Sequence, residues 1–114
     1  MITKIFQSKF ASPENTFEKD CDAIMSGDFT NFEKYKHLYE LVGCCDTSFG
    51  QFVYEPSCKI RNALWKTYQL TNKREYPSAI QNLSDKLRSL SNGDIVVIKG
   101  MTYILTSKDF IKIN

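Results

Sequence analysis

The run Asp94-Ile95-Val96-Val97-Ile98-Lys99-Gly100-Met101-Thr102-Tyr103-Ile104-Leu105-Thr106 decides the fold class. Its first half is a block of β-branched residues, which are stiff at χ1 and pack well on a pleated surface. Lys99-Gly100 or Gly100-Met101 supplies the tight turn that reverses the chain. Thr102 to Thr106 returns as the partner strand, and Phe110-Ile111-Lys112-Ile113 reads as a third. A carboxyl-terminal β-hairpin is the fixed point from which the other segments are placed.

Just upstream, Ile80, Leu83, Leu87 and Leu90 recur at helical spacing. They predict a helix from about Pro77, stopped by Asn92-Gly93 and packed on the hairpin. A further helix is predicted from about Cys58 to Thr71. Ile60, Leu64, Thr67, Tyr68 and Thr71 share one face, with Lys59, Asn62, Lys66, Gln69 and Lys73 opposite. Gly50 to Glu55, with Phe52 and Tyr54, reads as a strand broken by Pro56. Thr30 and Glu33 have capping-box spacing, and Phe32, Tyr35, Tyr39 and Val42 follow in a helix that Gly43 ends. Ser12-Pro13-Glu14 opens another helix, with Phe17, Cys21, Ile24 and Met25 at helical spacing and Ser26-Gly27 as its stop. Residues 2–10 read as a first strand. The expected architecture is α+β: a short antiparallel sheet with a C-terminal β-hairpin, packed by about four helices, in a single domain over residues 1–114.

The chain has 114 residues, of which 42% are hydrophobic, enough for one core without metals or disulfides. No apolar run approaches the ~18 residues of a membrane span. Lys9, Pro13 and Glu14 follow the short apolar start at once, unlike a signal peptide. The expected location is therefore cytoplasmic, without membrane contact. Cys21, Cys44, Cys45 and Cys58 show no Cys-x-x-Cys spacing, so four free thiols are expected. The net charge of +2 is unevenly spread. Residues 1–46 hold five lysines against eight acidic residues, and residues 47–114 ten basic against five acidic. That polarity suits a face for an anionic partner, although a solvated surface accounts for it more simply.

The sequence offers little reactive chemistry. His37 is the one histidine, and its spacing to Cys44, Cys45 and Cys58 matches no zinc finger. Every glycine is isolated, so no phosphate loop is present, and Asp20, Asp22, Glu14 and Glu18 read as solvated helix residues. No catalytic, cofactor or metal residue is expected. Lys59, Lys66 and Lys73 lie on one helical line with Arg61, Arg74 and Trp65 nearby, a pattern that can track a nucleic-acid backbone. A solvated helix face explains the same residues more cheaply. Trp65 stands at the edge of the apolar stripe, either as a core residue at the rim or as part of a contact patch.

Several stretches resemble the YodL-like small proteins of bacteriophages and mobile elements. They are Asn62-Ala63-Leu64-Trp65 leading to Leu70-Thr71-Asn72, then Arg88-Ser89-Leu90-Ser91-Asn92-Gly93-Asp94-Ile95-Val96-Val97, then Tyr103 in the next strand. Asp20 through Gly27, followed by Tyr35, is similar to their upstream segment. The likeness spans about residues 15–114. The family's Gly-Phe or Gly-Trp pair after the hairpin is replaced here by Lys108-Asp109-Phe110, and Gly43 to Gln51 has no counterpart. The resemblance implies a mobile-element origin, a small α+β fold and no inherited catalytic role.

The functional expectation is a small non-catalytic binding protein, phage-encoded on the resemblance. It would engage and modulate a host protein, as in anti-defence or host takeover. The alternative is a nucleic-acid-binding module using the basic helix and the hairpin. Candidate partner-binding residues are Trp65, Lys59, Arg61, Lys66, Lys73 and Tyr103.

Overall fold

The computed structural model describes residues 1–8, 39–49, 58–106 and 108–113. These residues form six strands and one α-helix: β1 (Ile2–Ser8), β2 (Tyr39–Asp46), α1 (Lys59–Lys73), β3 (Ile80–Asn82), β4 (Ile95–Ile98), β5 (Met101–Leu105) and β6 (Phe110–Lys112). A short 3-10 turn, Pro77–Ala79, leads into β3. All strands join one sheet in the order β3-β2-β1-β4-β5-β6, and every pairing is antiparallel. The expectation of a short sheet packed by about four helices is thus overturned. Among the described residues the fold is mostly sheet, with one α-helix laid on it. The helix expected over Ser12–Gly27 and the strand expected over Gly50–Glu55 lie outside the described residues.

The hairpin forms as read. Ile98 faces Met101 across a two-residue turn in which Lys99 has φ 50° and Gly100 has φ 76°. Positive φ at both central positions matches the right-handed twist of the flanking strands. The amino-terminal strand is present over Ile2–Ser8, with residues 9–10 outside the described residues, and β6 is the expected third carboxyl-terminal strand.

Tyr39 to Val42 was expected to be helical, yet it belongs to β2. The reason is burial on both faces. Tyr39 packs with Ile95 and Ile104 on one side of the sheet, whereas Val42 joins Ile5 and Leu64 on the other. Residues three apart in a strand point to opposite faces, so burying Tyr39 on one and Val42 on the other imitates helical spacing. A bulge adds to the confusion: the register shifts between Ile5 and Phe6, which leaves Val42 unpaired between Leu41 and Gly43. Gly43 is therefore mid-strand, not a helix stop. A Cβ there would lie 2.9 Å from the Gln81 carbonyl oxygen and 3.0 Å from Leu87, so only glycine lets β3 and Leu87 approach this closely.

The segment from Ile80 to Gly93 is not helical either. It holds β3 and then an irregular path to β4. Ser, Asn and Asp recur through it, and such residues offer the backbone local partners that compete with a helical ladder. The amides of Leu83 and Ser84 both donate to the Val42 carbonyl, at the bulge. The amide of Arg88 donates to Gln7 Oε1, that of Leu90 to Thr71 Oγ1, and that of Ser91 to Asp94 Oδ2. Side chains of the sheet and α1 thus satisfy this backbone in place of i−4 carbonyls. Leu90 is buried, Ile80 and Leu87 are half-buried, and Leu83 is 48% exposed. A continuous leucine stripe against the sheet does not exist.

Helix α1 runs from Lys59 to Lys73, close to the expected span. Ala63, Leu64, Thr67, Leu70 and Thr71 face the sheet. Ala63, Leu64 and Leu70 form the main core with Ile5, Val42, Cys45, Val96, Ile98 and Phe110. The opposite face of the sheet carries its own apolar cluster. There Leu41, Phe6, Ile95, Ile104 and Ile111 follow one another across β2, β1, β4, β5 and β6 in register.

Candidate functional site

Helix α1 presents two different flanks. At ~100° per residue, Arg61, Trp65 and Tyr68 fall on one side of its buried face, and Lys59, Asn62 and Lys66 fall on the other. The first flank is aromatic. The Trp65 ring meets Tyr68 edge-on at 5.5 Å and Phe110 edge-on at 5.1 Å. Arg61 forms an ion pair with Asp109, the residue before Phe110. Tyr103 pairs across the sheet with Val96, a core residue, so it shares the helix-covered face with Leu105 and Phe110. Trp65, Tyr68 and Tyr103 are all half-buried: each anchors in the core and keeps part of its ring in solvent. Of the sequence-derived candidates, Trp65, Arg61 and Tyr103 thus belong to one aromatic rim over β5 and β6.

The lysines do not make one solvated stripe. Lys59 and Lys73 are exposed, but Lys66, expected on the solvated face, is only 6% exposed. It lies against the β1–β2 end of the sheet, where it lines a pocket of about 200 Å³ with Met1, Thr47, Lys59, Asn62 and Ala63. Burial pushes its ammonium below the ordinary lysine value, and the nearby Cys45 opposes that shift. No ion pair or hydrogen bond engages Lys66 among the described residues.

Sequence reading missed a buried polar network around Asp94. This carboxylate is 2% exposed and receives both guanidinium nitrogens of Arg88, at 2.8 and 2.9 Å. Gln7 Nε2 donates to it at 3.0 Å, and the Ser91 amide at 2.9 Å. Gln7 also grips Arg88 through its backbone, accepting from the amide and donating to the carbonyl. Tyr39 Oη donates to the Gly93 carbonyl at 2.6 Å. Burial raises the Asp94 carboxyl above its usual value, and the Arg88 guanidinium works against that rise. With every contact directed at the chain itself, the group is a clasp that holds the 83–93 segment to β1. The spacing Arg88-Ser89-Leu90-Ser91-Asn92-Gly93-Asp94 was its signal: a side chain, a backbone amide and a carboxylate brought together within one turn.

A second polar cluster lies under the helix. Thr67 Oγ1 donates to the Ala63 carbonyl at 2.8 Å and meets Thr3 Oγ1 at 2.8 Å. Cys45, fully buried beside them, has its thiol pushed up to about 11, chiefly by burial and then by the Asp46 carboxylate. Cys44, Cys45 and Cys58 carry free thiols, whereas Cys21 and His37 lie outside the described residues. Among the described residues no group of three or more His, Cys, Asp or Glu side chains could hold a metal ion. Likewise, among the described residues no helix is long and apolar enough to cross a membrane. Comparison with known proteins finds no protein-family profile, curated protein or solved structure that matches the chain.

Proposed function

We propose that the chain is a small non-catalytic binding protein whose contact surface is the aromatic rim formed by Trp65, Tyr68 and Tyr103 with Arg61 at its edge. One observation carries this reading. Three large aromatic side chains pack against the core yet stay half-exposed, beside an arginine. Trp, Tyr and Arg are the residue types that dominate binding energy at protein interfaces, and the two aromatic types bury much area at low entropic cost. On the resemblance to YodL-like proteins, the partner is a host protein whose activity the chain modulates. The nucleic-acid alternative loses support from the burial of Lys66, which leaves two exposed lysines at opposite ends of α1.

The test is capture of a partner by the wild-type chain and by two variants, each shown to fold. Arg61→Glu combined with Tyr103→Ala is expected to abolish capture, and Lys73→Glu is expected to retain it. Capture that survives the first variant would contradict the reading. So would nucleic-acid binding that weakens steeply with salt and is lost in Lys73→Glu.

A further inference from the structure

We propose that the pocket between the start of α1 and the β1–β2 end of the sheet is a binding site for a small phosphate monoester. Three features at one place point to it. The first is Lys66, more than nine-tenths buried, lining the pocket and without a counter-ion among the described residues. Buried ammonium groups are expensive unless an anion meets them. The second is the wall composition. Lys59 and Lys66 both line the pocket, Asn62 and Thr47 add polar groups (the Thr47 hydroxyl donating to the Met1 carbonyl), and no carboxylate lines it among the described residues. The three ion pairs of the described residues, Arg61–Asp109, Lys86–Glu40 and Arg88–Asp94, leave both lysines out. The third is the helix start itself. Cys58, at the N-cap, makes no side-chain capping bond, and the first turn holds no acidic residue. Among the described residues no side chain therefore compensates the positive end of this 15-residue helix, which lies beside Lys59.

Charge and size select the ligand class. Two ammonium groups and a helix start match the dianion of a phosphate monoester, which carries about −1.5 to −2 at neutral pH. A monocarboxylate would leave one lysine unmatched. A pocket of about 200 Å³ holds a phosphoryl group with a small substituent. The site lies on the flank of α1 away from Trp65 and Tyr68, so it does not depend on the partner-binding reading.

The experiment follows thermal stability and amide chemical shifts as inorganic phosphate, glycerol phosphate or acetate is added at constant ionic strength. Both phosphate probes are expected to raise the melting temperature saturably and to shift the amides of residues 59–66, with glycerol phosphate the tighter and acetate without effect. In Lys66→Met, which keeps the aliphatic stem and removes the charge, affinity should fall at least about tenfold, since a charge-assisted contact is lost. Without phosphate the same variant should be at least as stable as wild type, because no unpaired charge is buried. Lys59→Gln, at an exposed position, should also weaken binding and serves if Lys66→Met does not fold. Equal responses to acetate and phosphate, or phosphate binding unchanged in both variants, would overturn the proposal.

Discussion

At the residue scale, the two most informative positions are ones where the sequence looked ordinary. Gly43 passes for a helix stop, yet its missing Cβ is what admits the Gln81 carbonyl and Leu87. Gly43→Ala is expected to destabilise the chain by about 1–3 kcal/mol, the cost of overpacking against backbone that cannot move away. Chemical denaturation measures it. Cys45 is the other. Its thiol has a folded value of about 11 against an ordinary 9.0, so the folded state holds that proton more tightly. The stability this contributes is complete below pH 9 and is lost as pH rises through about 11. Lys66 runs the other way: its value is depressed, so its contribution is present above 10.5 and lost as pH falls through the folded value. Cys45→Val removes the thiol term, and its stability relative to wild type should rise between pH 9 and 11. At neutral pH, iodoacetamide should alkylate Cys44 and Cys58 well before Cys45, since the thiolate is the reactive form and Cys45 is both buried and protonated.

At the element scale, legibility followed the number of neighbours a segment must satisfy. The β4–β5 hairpin was readable because its β-branched run and its turn act locally. Helix α1 was readable because it has one buried flank and one wet one. Even so, Lys66 was placed on the wrong side, since nothing local says that the helix edge would be covered at the β1–β2 end. β2 and the 83–93 segment were misread because distant partners decide them. β2 buries Tyr39 on one face and Val42 on the other, and the 83–93 backbone is satisfied by Gln7, Thr71 and Asp94. The leucines give a direct check. Leu90→Ala should cost about 2–5 kcal/mol, as a fully buried leucine does. Leu87→Ala should cost less, and Leu83→Ala should fall within about 0.5 kcal/mol of wild type, as for an exposed position. An amphipathic helix would instead show similar large losses at all three in denaturant titrations.

At the scale of the whole molecule, β1 is the strand that ties the sheet together. It pairs with β2 on one side and β4 on the other, joining the amino-terminal and carboxyl-terminal parts of the chain in one sheet. The candidate site depends on that topology. The aromatic rim exists because β5 and β6 extend under α1, and the lysine pocket exists because β1 and β2 end beside its first turns. The six named candidates were visible as residue types, but their division into an aromatic flank and a lysine flank required the sheet order. The measurement that tests this most directly is the set of interstrand proton contacts by nuclear magnetic resonance. With this strand order, Phe6 is expected to show cross-strand contacts to both Leu41 and Ile95, and Gly43 to Asn82. Contacts between residues three apart running continuously through Tyr39–Asp46 or through 80–90, with no contacts from Phe6 to Leu41, would contradict it.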